Sequence, residues 1–228
     1  RDRFWLGAVA CVMCFVALAV VTWQTWADPV VDFGREAYVA WRVSEGDRLY
    51  DDVWHFAGPI SPTFNGLLFR LFGTSLLVLA IANMAIFAAI CGGLYSIGRR
   101  IGGPVAAALA VLSVILLSGF GNLVAVGNFN FVTPYTHELT HAIALSVLAL
   151  HLLLQWTERG GRWRTIVVGA IAGVVFSMKP EVFVALAGAA ATAVVLRRRE
   201  PREVRDAGLG LLGALLTVTA LLAWDMSW

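Results

Sequence analysis

Residues 74–120 read TSLLVLAIANMAIFAAICGGLYSIGRRIGGPVAAALAVLSVILLSGF. Two apolar runs, about 74–98 and 103–120, are separated by Arg99 and Arg100. A bilayer crossing takes roughly 20 helical residues, so each run reads as a membrane span and the arginines as a connection outside the apolar layer. The same kind of run recurs at about 4–26, 139–156, 165–178, 181–196 and 207–224. The expected fold is all-α: a polytopic transmembrane helical bundle of about seven spans.

Composition agrees. Of 228 residues, 59% are hydrophobic and 14% charged, and the mean hydropathy is +0.77. A soluble domain of this length needs more charge to cover its surface. Lys179 is the only lysine among 17 basic residues. No basic, aromatic-interleaved region suggests nucleic acid, so none is expected as a partner. Cys11, Cys14 and Cys91 all lie inside apolar runs and read as packing residues. The first run is long for a signal peptide and no small-residue cleavage site follows, so it reads as a retained span. The chain opens on Arg1-Asp2-Arg3 and closes at Trp228 just after an apolar run, as expected of the N-terminal part of a longer protein.

Arginine placement orients the spans. Arg1 and Arg3 precede the first run, and Arg99 and Arg100 follow the second. Arg159, Arg162 and Arg164 follow the fourth run, while Arg197, Arg198, Arg199, Arg202 and Arg205 follow the sixth. If every run crosses once, all these clusters fall on one side, which the positive-inside rule makes cytoplasmic. This requires that residues 165–196 form two short spans broken at Lys179-Pro180. Proline breaks a helix, and short interrupted spans are tolerated beside a protein cavity.

The opposite side then receives the loop 27–73, the segment about 120–138 and the junction at Lys179-Pro180-Glu181. Together they gather Asp28, Asp32, Glu36, Glu45, Asp47, Asp51, Asp52, Glu138 and Glu181. Within the long loop, Gly34 to Glu45 reads as an amphipathic helix closed by Gly46-Asp47. Pro59 to Phe72 reads as a second, with an apolar face of Leu67, Leu68, Leu71 and Phe72. Such helices can lie in the interface plane.

Two patterns carry chemistry. The first is Asp32-Phe33-Gly34-Arg35-Glu36-Ala37-Tyr38, directly after the first span. A carboxylate there can reach both an acceptor hydroxyl and a lipid phosphate; it can serve as general base while an arginine neutralises a departing phosphate. The plainer reading is a loop acid that caps the following helix. The second is His137-Glu138-Leu139-Thr140-His141, a literal H-E-x-x-H. On a helix that spacing offers two imidazoles to a zinc ion, with the glutamate as base. Pro134 places this motif in a first helical turn, however, and no third ligand follows at a persuasive position. Hydrogen-bonded polar residues at a span mouth are the plainer reading here.

The layout resembles the membrane-embedded GT-C glycosyltransferases, in the bacterial branch related to protein O-mannosyltransferases and lipid A aminoarabinose transferases. Those enzymes open with one span and a long outer loop that begins with an acidic motif, often Asp-Glu-Ala-x-Tyr. This chain carries a spread-out version, Asp32 followed by Glu36-Ala37-Tyr38. Further matches are Gly46-Asp47-Arg48-Leu49-Tyr50-Asp51-Asp52, Gly58-Pro59, Leu71-Phe72-Gly73, Asn130-Phe131-Val132-Thr133-Pro134-Tyr135 and Lys179-Pro180.

The resemblance implies sugar transfer from a polyprenyl-phosphate-linked donor at the outer (periplasmic or extracellular) face of the cytoplasmic membrane, with membrane lipid around the site. It makes Asp32 the general base, with Glu36 as the alternative essential acid, and Lys179 a contact of the donor phosphate, assisted by Arg35 or Arg42. Tyr38, Trp41, Tyr135, Glu138 and Glu181 are the expected substrate contacts, and Trp41 and Trp54 offer ring faces to a sugar. Metal dependence varies across the superfamily, so a divalent ion on His137, Glu138 and His141 stays an open expectation. A zinc metalloprotease on that motif, and a transporter or non-enzymatic scaffold, remain as other readings. Cysteine labelling should find positions 32 and 179 reactive from the same, non-cytosolic side; reactivity from opposite sides ends the glycosyltransferase reading.

Overall fold

The computed structural model describes residues 4–25, 30, 33–120, 130–197 and 201–225. Among them every regular element is helical: α1 Phe4–Val21, α2 Phe33–Glu45, α3 Ile60–Phe72, α4 Leu76–Val114, α5 His137–Arg159, α6 Arg162–Met178, α7 Pro180–Arg197 and α8 Pro201–Asp225. A π-helical turn, Ile115–Gly119, extends α4. Four stretches are long and apolar enough to cross a membrane: Leu76–Gly119, His137–Arg159, Pro180–Arg197 and Arg202–Ala223. Trp5–Val21 is a shorter apolar helix. The chain is an all-α, multi-pass membrane protein.

It divides into two compact units, Arg1–Asp47 with Pro62–Thr140, and Arg48–Ser61 with His141–Trp228. In the first unit, Leu76–Gly119 is 44 residues long. Straight, it would measure about 66 Å, twice a hydrocarbon core. It is not straight. Gly103 sits at φ 81°, ψ 179°, with Pro104 beside it. A Cβ on Gly98 would come 3.1 Å from the Cα of Ala107, and one on Gly119 would strike the Phe87 ring at 2.5 Å. In a straight helix residues 98 and 107 lie about 13 Å apart, so the chain folds back at Gly103 and α4 is a helical hairpin. Arg99 and Arg100 sit at its tip.

α1 packs on this hairpin. Gly7 faces Ala108 with no room for a Cβ, and the Cys11 thiol donates to the Ala108 carbonyl at 3.6 Å. Further along, Phe15 stacks on Phe87 at 5.5 Å and meets Phe120 edge-on at 5.2 Å. Phe87 also stacks on Phe131 at 5.0 Å. The amphipathic α2 buries Phe33, Glu36, Val39 and Ala40, and Ala40 packs with Phe69 of α3 and Leu79 of α4. Arg70 closes the end of α2 by donating to the carbonyls of Ser44 (2.8 Å) and Val43 (3.0 Å), where helix carbonyls lack internal partners.

In the second unit α6 and α8 touch backbone to backbone. A Cβ on Gly169 would lie 1.8 Å from the Gly210 carbonyl oxygen, and one on Gly173 would lie 2.7 Å from that of Ala214. Lipid offers no hydrophobic drive between helices, so small residues that admit close packing hold them together. α6 ends at Met178 and α7 starts at Pro180. Between them Lys179 is extended (φ −152°, ψ 92°), and its carbonyl accepts from Val182 and Phe183 at 3.0 and 3.1 Å. Pro180 occupies the first helical position, where its missing N–H costs nothing.

Gly169→Val should lower the thermal unfolding midpoint in detergent, by an overpacking cost of about 1–3 kcal/mol. Gly208→Ala, on the same α8 with nothing within 4 Å of its Cβ, should leave the midpoint unchanged or raised.

Candidate active site

The first unit holds a buried polar cluster built around Glu36, on α2. Residues 33, 36 and 40 of an amphipathic helix share a face, and this face is inward, so Glu36 is carried into the interior with Phe33 and Ala40. Its side chain is 3% exposed. A charge so buried is tolerated only when it is paired and hydrogen-bonded. Glu36 is both. Arg35 Nη2 donates to Oε1 at 3.2 Å. On Oε2, the backbone N–H of His137 donates at 3.3 Å and the His137 ring Nδ1 lies at 3.4 Å. Glu36 thereby caps the first turn of α5 from a point 101 residues away in the chain. Phe33 stacks on the same imidazole, ring centroids 6.1 Å apart.

His137 and Glu138 are fully buried. The Glu138 carboxylate accepts from the Thr136 hydroxyl. Side-chain hydrogen bonds shape the approach to α5. Asn130 Oδ1 accepts from the N–H groups of Val132 (2.8 Å) and Thr133 (2.6 Å), a side-chain turn of the kind asparagine favours. Asn83, a polar residue inside the α4 apolar run, donates to the Val132 carbonyl at 3.1 Å. Next to this turn lies a cavity of about 180 Å³ lined by Ser118, Asn130, Phe131, Pro134, Tyr135, Leu139 and Thr140.

The other expected site residues fall as follows. Asp32 lies outside the described residues, immediately before α2. Tyr38 and Trp41 are largely exposed on α2, their rings edge to face at 5.9 Å. Arg42 is ion-paired to Asp47 and donates to the Tyr38 hydroxyl at 2.9 Å. These two bonds, Asp47 first, push its already high pKa up further, so its charge is permanent.

Tyr135 lines the small cavity. In the second unit, His141 Nδ1 lies 2.9 Å from the Ser61 hydroxyl, and Lys179 Nζ is 4.0 Å from the largely exposed Glu181 carboxylate. The structure thus brings Glu36, Arg35, His137 and Glu138 into one unit with Tyr135.

Among the described residues no three His, Cys, Asp or Glu side chains are grouped as a metal site requires. The expected trio of His137, Glu138 and His141 is not assembled into one. α5 begins at His137, so the H-E-x-x-H motif occupies its opening turn, and Glu138 is engaged by Thr136. Thr136 and Ser61 were not singled out by the sequence. The Thr136 hydroxyl two residues before Glu138 was the readable signal; nothing local marks Ser61 as a partner of His141.

Apolar membrane-length helices, with a buried acid and imidazole joining two inter-span segments, define a multi-pass helical membrane protein. Residues 57–224 match the family described as dolichyl-phosphate-mannose-protein mannosyltransferase. The chain belongs to that family, and is a membrane glycosyltransferase of the GT-C type. Neither a curated protein nor a solved structure matches it. The matched stretch includes His137, Glu138 and Lys179 and begins after Asp32 and Glu36.

Removing the imidazole in His137→Ala should cost about 1–3 kcal/mol of stability, because a buried partner of Glu36 is lost. Glu36→Ala should behave alike, and the double variant should lose less than the sum of the two. Thermal unfolding checks this; strictly additive losses would deny the contact.

Proposed function

We propose that the chain transfers a sugar from a polyprenyl-phosphate donor to a hydroxyl-bearing lipid, glycan or protein at the outer face of the cytoplasmic membrane. The observation that carries this reading is the family match over residues 57–224. A lipid-linked donor suits a multi-pass enzyme, since its tail stays in the bilayer while its headgroup meets the polar segments between spans.

Asp32 is the general base in this reading. It takes the proton of the acceptor hydroxyl, whose oxygen attacks the anomeric carbon. The bond from that carbon to the phosphate oxygen breaks, and polyprenyl phosphate departs with the bonding pair. A single displacement inverts the anomeric centre. The burial of Glu36 supports assigning the base to Asp32 instead. Both Glu36 oxygens hold protein partners, Arg35 and His137, and the side chain is buried away from an acceptor hydroxyl. Glu36 is therefore a positioning residue.

For the leaving phosphate, Lys179 is the better cation. Arg42 is committed to Asp47 and Arg35 to Glu36, whereas Lys179 meets Glu181 only at 4.0 Å. Lysine serves phosphate well as a compact charge.

Full-length protein reconstituted with polyprenyl-phosphate sugars tests this. Asp32→Asn should cut turnover by about 10²- to 10⁴-fold, the usual share of a general base. Lys179→Ala should raise the donor KM and Lys179→Arg recover part of it. Equal turnover of wild type and Asp32→Asn would remove the base and with it the mechanism.

A further inference from the structure

The second unit holds a cleft that glycosyl transfer leaves unused. α6 and α8 pack closely, whereas α7 and α8 meet only briefly. Between α7 and α8 lies a cavity of about 240 Å³, walled also by α5 and α6. Along α7 it runs from Phe183 to Val194, about 16 Å at the helical rise per residue. That is close to half of a hydrocarbon core about 30 Å thick. Pro180–Arg197 and Arg202–Ala223 are both long and apolar enough to cross a membrane, so a space between them adjoins hydrocarbon.

One end of the cleft is basic. Trp156, Thr165 and Val194 line it, and each stands three residues from a helix terminus, at Arg159, Arg162 and Arg197. Residues 156–164 and 197–206 carry eight arginines against four carboxylates. Arg197 reaches the cavity wall itself. Its Cζ lies 5.7 Å from the centroid of the Trp156 ring, it donates to the Trp156 carbonyl, and it pairs with Glu203 of α8 at 3.1 Å. Arg162 is exposed and, three residues before Thr165, shares its helix face. Trp156 is 1% exposed, and its indole N–H has no acceptor among the described residues. A buried donor left unpaired is costly.

We propose that this cleft seats one acyl chain of an anionic phospholipid, with the lipid phosphate among the arginines at its end. The length fits a chain of one leaflet, and the arginines complement the headgroup charge. An ester or phosphate oxygen at that end supplies the acceptor that the Trp156 indole lacks. A single hydrocarbon chain matches a space of this size better than an α-helix about 10 Å across. The polyprenyl donor is assigned to Lys179, at the opposite end of α7, so the lipid here is a second ligand and stands apart from the glycosyl-transfer reading.

Native mass spectrometry of the full-length protein, titrated with phosphatidylglycerol or phosphatidylcholine, tests this. Wild type should retain one phosphatidylglycerol and bind phosphatidylcholine more weakly. Ala190→Phe, which fills the cleft, should abolish retention. Arg162→Gln, at an exposed position, should weaken phosphatidylglycerol about 5-fold and leave phosphatidylcholine unchanged. Equal affinity for the two lipids in wild type overturns the proposal, as does full retention in a folded Ala190→Phe. If that variant fails to fold, phosphatidylglycerol affinity unchanged in Arg162→Gln overturns it alone. Displacement of the phospholipid by equimolar polyprenyl phosphate would make the cleft a donor site, and a dimer lost in Ala190→Phe would make it a protein interface; either result also overturns it.

Discussion

The carboxylate of Glu36 accepts both the backbone N–H and the ring of a residue 101 positions away, and the order of the first unit depends on that contact. An ionised carboxylate taken out of water loses several kcal/mol of solvation. Arg35, the His137 amide and the amide dipoles at the start of α5 offset that loss. The requirement is geometric. The donors must stay within hydrogen-bond distance, so α2 cannot slide against α5 without exposing the charge or stranding it. Surrounding features serve the same fixity: Asn83 and Asn130 lock the turn into α5, and the Phe15–Phe87–Phe131 stack joins that turn to α1 and α4.

The second unit solves a different problem. Its helices are apolar on nearly all sides and gain little from hydrophobic burial against one another in lipid. Gly169, Gly173 and Gly210 convert that into close backbone contact between α6 and α8. With those two helices fixed, the interruption at Lys179 becomes affordable. Its carbonyl caps α7 and its amide closes α6 by donating to Val175 at 2.8 Å. A break that would be costly in exposed lipid is satisfied locally, and it leaves a lysine at a helix junction.

What the sequence made legible follows from the range of each interaction. Apolar runs, the Lys179-Pro180 break and the two amphipathic helices of the long loop are local patterns, and the structure has helices at Phe33–Glu45 and Ile60–Phe72 and a break at Lys179. Hydropathy carries the first run to about residue 26, whereas α1 ends at Val21, and the Thr22 and Thr25 hydroxyls donate back to the Leu18 and Thr22 carbonyls. The Glu36–His137 contact has no local signature at all, because its partners belong to separate inter-span segments. The H-E-x-x-H spacing is legible as two imidazoles one helical turn apart. It was silent on who takes each Nδ1, and those partners, Glu36 and Ser61, are distant in sequence.

In the proposed mechanism the division of labour between Asp32 and Glu36 follows from the burial of Glu36. A general base has to gain and release a proton in each turnover, so its lone pairs must be available to the acceptor. Glu36 holds Arg35 on one oxygen and His137 on the other, and its side chain is buried away from an incoming acceptor. The same bonds make it a good anchor. A site that needs one acid to react and another to stay fixed can place them four residues apart, one just before a helix and one on its buried face. Asp32 and Glu36 stand four positions apart in the sequence, and α2 begins at Phe33.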